Sequence, residues 1–224
     1  MAKCIYCGGE ANSKDHIPPK CLFVQRRGIN FITVPSCERC NGSRHLDDEI
    51  FRNFLVNMTT EKSLTATALL HTKIKRSIIS RPDIGRKAME KMKLINYYRK
   101  GIYLGKKTLI KVDESDWQRY YRVLNNIIEA LFYCEFKFVI PPEFKIEHRL
   151  GNNELTSKIR GLLKLLKWRV IDRNVFVYGF GNVDSTPASV WVTEYYKNIY
   201  FISFVLDKKF NPEEFINKIG RAHV

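Results

Sequence analysis

The sequence predicts an α+β fold: a small turn-rich unit at the N-terminus, then helices, then an antiparallel β-rich region. Three observations carry that prediction. Two Cys-x-x-Cys pairs, Cys4–Cys7 and Cys37–Cys40, bracket a polar insert of 29 residues with room for a hairpin. From Leu46 to about Met58, apolar residues recur at helical spacing. Between Trp168 and Leu206, three runs rich in Val, Ile, Phe, Tyr and Trp alternate and are separated by Gly, Asn, Asp and Ser.

Residues 1–45 are punctuated by Cys-Gly-Gly, Ile-Pro-Pro and Cys-Asn-Gly. Two short strands are expected inside, one through Asp15-His16-Ile17 and one at Phe31-Ile32-Thr33-Val34. The helix after Leu46 places Leu46, Ile50, Phe54/Leu55 and Met58 on one face, with Asp47, Asp48 and Glu49 in its first turn, where the helix dipole favours acids. Helices are expected over 62–79 and 83–98, the second opened by Pro82-Asp83 and lined by Ile84, Ala88, Met92 and Ile95. After Gly101, alternation through Tyr103 and 109–112 predicts a hairpin. A strong helix capped by Asp113 or Ser115 follows, with Trp117, Tyr121, Leu124, Ile128 and Leu131 on one side. An amphipathic stretch on Leu155, Ile159, Leu162 and Leu166 precedes the strands 168–180, 189–196 and 199–206, and Asn211-Pro212 opens a last short helix. The layout divides into a unit at 1–58 and a helical and β-rich region at 59–224.

Charge sets the class of partner. The chain carries 38 Lys and Arg against 23 Asp and Glu, a net +15. Residues 61–110 alone hold 13 basic and 3 acidic residues, so most of the excess lies in one stretch. Such a concentration suits a polyanion, because each phosphate neutralised releases condensed counterions. Lys73, Lys75, Arg76, Arg86 and Lys87 are the residues expected to hold a DNA backbone without reading bases. No apolar leader opens the chain and no run of about 18 apolar residues occurs, so a soluble cytoplasmic protein is expected.

In a reducing compartment, two Cys-x-x-Cys pairs suit a closed tetrahedral zinc site of Cys4, Cys7, Cys37 and Cys40. Such a site would pin the ends of a segment too short to build its own core. Inside that segment Asp15 and His16 offer an adjacent carboxylate and imidazole, the groups that metal-assisted phosphodiester hydrolysis needs. A regular strand would send the two side chains to opposite faces, and the pair also reads as plain turn chemistry. Asn41 directly follows the second thiolate pair and offers a neutral oxygen to Mg²⁺ or Mn²⁺, or else a turn or helix cap. Asn30 precedes the second strand as a turn residue or as a partner that orients His16. His45 stands where a helix start pointing inward would bring it to the metal.

Cys4-x-x-Cys7, Asp15-His16-Ile17-Pro18-Pro19-Lys20, Ile32-Thr33-Val34-Pro35-Ser36-Cys37-x-x-Cys40-Asn41 and Asp47-Asp48-Glu49-x-Phe51 together resemble the zinc-stapled His-Asn-His (HNH) endonucleases of the ββα-metal fold. The resemblance covers residues 1 to about 55. It implies that His16 is the general base, that Asp15 and Asn41 hold one catalytic divalent ion, and that Asn30 orients the loop and the base. Asn41 stands where the family's last His would be, as in the His-Asn-Asn variant. Losing that imidazole favours Mg²⁺ or Mn²⁺ over softer ions. The resemblance further implies DNA as substrate, 5′-phosphate and 3′-hydroxyl products, and bacterial anti-phage defence with a partner protein as a setting. The rival readings are a non-catalytic zinc-dependent nucleic-acid-binding module and an RNA-cleaving toxin.

Overall fold

The computed structural model describes residues 2–59, 63–151, 161–182 and 186–210. It is an α+β protein, with N-terminal strands, then helices, then a five-stranded antiparallel sheet. Strands β1 (Ser13–Ile17) and β2 (Ile32–Ser36) pair antiparallel, setting Asp15 opposite Val34 and His16 opposite Thr33. Helix α1 (Glu38–Gly42) is a single short turn capped by the Cys37 sulfur, and α2 (His45–Thr59) follows. Helices α3 (Leu64–Leu69) and α4 (Lys75–Ser80) flank a π-helical segment at Leu70–Ile74, and α5 (Pro82–Glu90) begins on its proline.

The helix expected over 83–98 stops at Glu90. Residues Met92–Arg99 instead form β3, paired with β4 (Ile102–Ile110). Lys100 and Gly101 both adopt positive φ and make the two-residue turn that reverses the chain. The helical spacing of Ile84, Ala88, Met92 and Ile95 ran on into a segment that this turn commits to a ribbon. The expected hairpin after Gly101 therefore begins earlier, at Met92.

Helix α6 (Glu114–Phe136) opens on a capping box in which Asp113 accepts from the Asp116 N–H and the Asp116 side chain accepts from the Asp113 N–H. Its buried stripe is broad, from Tyr120 through Leu124 and Ile128 to Phe132. The breadth follows from its place: it packs on α2, on β1 and β2, and on β5 (Phe144–Leu150). The remaining strands are β6 (Lys167–Asp172), β7 (Phe176–Asn182), β8 (Ser189–Tyr195) and β9 (Ile199–Asp207), in sheet order β5-β9-β8-β7-β6, so the run expected as one strand over 168–180 is a hairpin of two, turned at 173–175. Strand β5 was not expected from the sequence. His148 breaks its apolar alternation, yet it is buried with its ring between Ser203 (2.7 Å) and Asn125 (2.8 Å). The C-terminal helix expected from Asn211 and the Leu155–Ile159 part of the amphipathic stretch lie outside the described residues.

One cluster of buried side chains joins Ile17 and Val34 of the hairpin, Phe51 and Leu55 of α2, Leu124 and Ile128 of α6, and Tyr195 and Phe201 of the sheet. The buried face of α2 is Phe51, Phe54, Leu55 and Val56, whereas Leu46 and Met58, expected to face inward, are exposed. Aromatic size explains the rotation. Phe51 sits between Tyr120, Tyr195 and Phe201 at centroid distances of 5.6 to 6.1 Å, and burying such a ring is worth about 1.5–3 kcal/mol. The Tyr196 hydroxyl adds a 2.9 Å bond to the Leu22 carbonyl, tying the β8–β9 turn to the loop after β1. Among the described residues no helix is long and apolar enough to cross a membrane.

Candidate metal centre and active-site cleft

The Cys4–Cys7 turn closes through the Gly8 N–H to the Cys4 carbonyl (2.9 Å), with Gly8 in the positive-φ conformation that only glycine adopts freely. The Ile5 N–H donates to the Pro35 carbonyl (3.1 Å), which lays this turn against β2 beside Cys37. As a result, the sulfurs of Cys4, Cys7, Cys37 and Cys40 all lie within 4.8 Å of one another, and Cys7 Sγ is 3.8 Å from Cys37 Sγ. A tetrahedral zinc with Zn–S bonds near 2.3 Å requires sulfurs about 3.8 Å apart. The four thiols therefore fit a zinc ion.

Their electrostatics agree. Burial pushes the Cys4 thiol up, but the backbone N–H groups of Cys37, Cys7 and Tyr6 outweigh it and bring it down to about 6. Burial and the neighbouring sulfurs of Cys37, Cys7 and Cys4 push Cys40 up to about 12. Four thiols this close ionise one at the expense of another unless a cation sits among them.

The same turn positions Asn41. Its N–H donates to the Cys37 carbonyl (2.9 Å), and its side-chain amide donates to Ser13 Oγ (3.0 Å) and to the Lys14 carbonyl (3.2 Å). With its donor side turned to β1, the amide oxygen is directed elsewhere. Asp15, His16 and Asn41 line one narrow cleft, together with Arg44, Asp48 and a wall of α6 formed by Val123, Asn126 and Ile127. Adjacent on β1, Asp15 and His16 are both among the residues that line this cleft.

Asp15 is held at both oxygens. Oδ1 accepts from the His16 N–H (2.8 Å), and Oδ2 accepts from the Tyr6 hydroxyl (2.7 Å) and from Arg44 (3.2 Å). The Arg44 guanidinium also lies 3.7 Å from the centroid of the Tyr6 ring. His16 packs edge-on against Phe31. Burial lowers its pKa below the ordinary histidine value, Lys20 and Arg26 add to this, and Asp15 opposes them. The shift favours the neutral imidazole.

The acids Asp47, Asp48 and Glu49 diverge by about 100° each around α2 and do three different things. Asp47 pairs with Arg119 (2.8 Å) and Arg122 (2.9 Å) of α6. Glu49 pairs with Arg52 (3.2 Å) and with Arg81, and accepts from Ser77. Asp48 faces the cleft, where burial first, then the charges of Asp15 and Asp47, raise it to about 7 against the pull of Arg44. Asp15 and Asp48 bring two carboxylates to the cleft, and burial first, then the charge of Asp15, keeps Asp48 partly protonated near pH 7.

Asn30 is exposed in the loop before β2 and is not among the cleft-lining residues, and His45 is exposed at the start of α2, outside the cleft. Lys73 is half-buried, with its ammonium on the Phe23 carbonyl, whereas Lys75, Arg76, Arg86 and Lys87 are exposed. Tyr6 and Arg44 join the site without having been singled out in the sequence, and Asp48, expected only as one of the first-turn acids of α2, joins it too. The signal for Arg44 and Asp48 was the spacing, since Asn41, Arg44 and Asp48 recur at intervals of three and four. Comparison with known protein families, with curated proteins and with solved structures finds no match to this chain.

Proposed function

We propose that the protein is a metal-dependent endonuclease of the His-Asn-His type, in its His-Asn-Asn variant, that hydrolyses DNA phosphodiester bonds. The observation that carries this reading is the convergence of Asp15, His16 and Asn41 on one cleft beside a four-thiolate cluster. Zinc on Cys4, Cys7, Cys37 and Cys40 is structural. Asp15 and Asn41, with Asp48 alongside, would hold Mg²⁺ or Mn²⁺, which would supply positive charge against the phosphate and the departing oxygen. Neutral His16 takes a proton from the attacking water, and Tyr6 and Arg44 hold the Asp15 carboxylate in place. Lys75, Arg76, Arg86 and Lys87 contact the DNA backbone, and products carry 5′-phosphate and 3′-hydroxyl ends. Anti-phage defence, with a partner protein that restrains or directs the cut, is the setting that the family resemblance implies.

The test is cleavage of supercoiled plasmid with and without Mg²⁺ or Mn²⁺. His16→Ala is expected to abolish cutting while zinc content and the melting temperature hold. Full activity in that variant refutes the assignment. One observation favours a second reading: Arg44 already neutralises Asp15, as in a zinc-dependent module that binds nucleic acid without cutting it. Plasmid that is bound but never cut, at any divalent ion, supports that reading instead. The same assay on single-stranded RNA tests the RNA-cleaving alternative.

A further inference from the structure

The ribbon of β3 and β4 is built unlike the rest of the molecule. Between Met92 and Ile110 only Ile95, Tyr97 and Gly105 are half-buried, and every other residue is exposed. The segment holds Lys93, Arg99, Lys100, Lys106 and Lys107 and no acid. Cross-strand register puts Asn96 beside Lys106 on one face and Ile95 beside Lys107 on the other, where Lys107 lies 4.2 Å from the Tyr97 ring centroid. Tyr98 and Tyr103 pair across the strands near the tip at 5.4 Å, next to Arg99 and Lys100. A lone two-stranded ribbon is marginal in water, so one this apolar and this basic is suited to being covered by a partner.

We infer that this ribbon enters the major groove of duplex DNA and makes the protein selective for B-form DNA over double-stranded RNA. The inference rests on the nuclease reading and names the form of its substrate. The eight residues of β3 span about 26 Å, and the B-form major groove, about 12 Å wide, admits a two-stranded ribbon. The A-form major groove of RNA is too deep and narrow to admit one. Lysines and arginines on both faces meet the two phosphate walls, Asn96 offers paired donor and acceptor groups to an adenine edge, and Leu94 on the same face suits a thymine methyl. A second copy of this chain is the poorer occupant, because two such ribbons would bring like charges together.

The base of the ribbon is fixed to the cleft. Lys91, just before β3, pairs with Asp113 (2.8 Å) and Asp116 (2.5 Å) at the start of α6. Ten residues on, Asn126 of the same helix walls the cleft, a rise of about 15 Å along a rigid element. Helix α6 thus sets the distance between a groove-bound ribbon and a backbone phosphate at His16.

The test uses the full-length zinc-loaded chain carrying His16→Ala, so that DNA is bound and not cut. Anisotropy titrations over a range of salt compare it with the same chain carrying also Arg99→Ala, Lys106→Ala and Lys107→Ala, on a DNA duplex and on an RNA duplex of the same sequence. The expected result is DNA affinity at least tenfold above RNA, and a tenfold or greater loss on DNA in the ribbon variant. The slope of log affinity against log salt should be shallower by about 0.9 per lost phosphate contact. Lys106→Glu alone is expected to act in the same direction, which guards against misfolding of the triple variant. Unchanged DNA affinity and slope, equal affinity for the RNA duplex, or a stable dimer dissolved by the ribbon changes would each overturn the inference. With His16 restored, the ribbon variant should lose cutting of duplex DNA and keep hydrolysis of bis(p-nitrophenyl) phosphate. If the parent hydrolyses neither substrate, the nuclease reading fails while the binding comparison still decides the ribbon.

Discussion

The hydroxyl of Tyr6, a residue inside the Cys4–Cys7 turn, donates a 2.7 Å hydrogen bond to Oδ2 of Asp15 in the cleft. The thiolate cluster and the cleft are therefore coupled through a single side chain. Desolvation and the Asp15 charge both drive the Tyr6 phenol upward, so it remains a donor at every working pH. Removing the donor in Tyr6→Phe should leave zinc content unchanged and lower kcat on plasmid by roughly tenfold, since a hydrogen bond to a charged group is worth about 1.5–3 kcal/mol. Steady-state cleavage beside a zinc analysis checks this.

Loss of the zinc cluster should be a folding event before it is a catalytic one. Cys37 contributes a sulfur, and its carbonyl accepts the N–H of Asn41. Cys37→Ser, or a strong chelator on the parent, is expected to release zinc, lower the melting temperature and abolish cleavage together. Zinc in such thiolate sites supplies about 10–16 kcal/mol of apparent binding free energy. A calorimetric scan with zinc measured by metal analysis reads both quantities.

The acid limb of the rate should report His16. Its pKa is lowered by burial, with Lys20 and Arg26 adding and Asp15 opposing. The base is active when neutral, so at saturating Mn²⁺ the rate should rise with pH and level off below about 6.5, the ordinary histidine value. A plateau reached only above that value contradicts the assignment.

Asp48 gives the opposite sign in stability. Its carboxyl is raised to about 7 in the fold, chiefly by burial and by Asp15. The folded protein keeps a proton that the unfolded chain releases near pH 4, so stability is full below that pH and falls as pH rises through 7. Asp48→Asn should therefore raise the stability of the Mg²⁺- and Mn²⁺-free protein at pH 8 by on the order of 2 kcal/mol, and change little at pH 4. Urea melts at the two pH values check the sign.

The order of elements was legible because its signals are local. Cysteine spacing announced the metal turn, dipole-matched acids announced α2, and β-branched runs announced the C-terminal strands. What escaped notice depended on partners distant in sequence. The burial of His148 needs Asn125 and Ser203. The inward face of α2 was set by Tyr195 and Phe201, more than 140 residues downstream, and not by its own Leu46 and Met58. The end of α5 was decided by the Lys100–Gly101 turn, which outweighed a helical spacing four residues in period. In the cleft, Asp15, His16 and Asn41 were readable as chemistry. Asp48 read only as a dipole acid, and Tyr6 and Arg44 showed no role until the fold brought them to Asp15.

The central claim is tested most directly by titrating the zinc-loaded protein with Mn²⁺ under electron paramagnetic resonance. The account predicts one Mn²⁺ bound per chain beyond the zinc, weakened at least tenfold by Asp15→Asn and by Asn41→Ala while the zinc stays in place. No bound Mn²⁺, or binding indifferent to both substitutions, would contradict it.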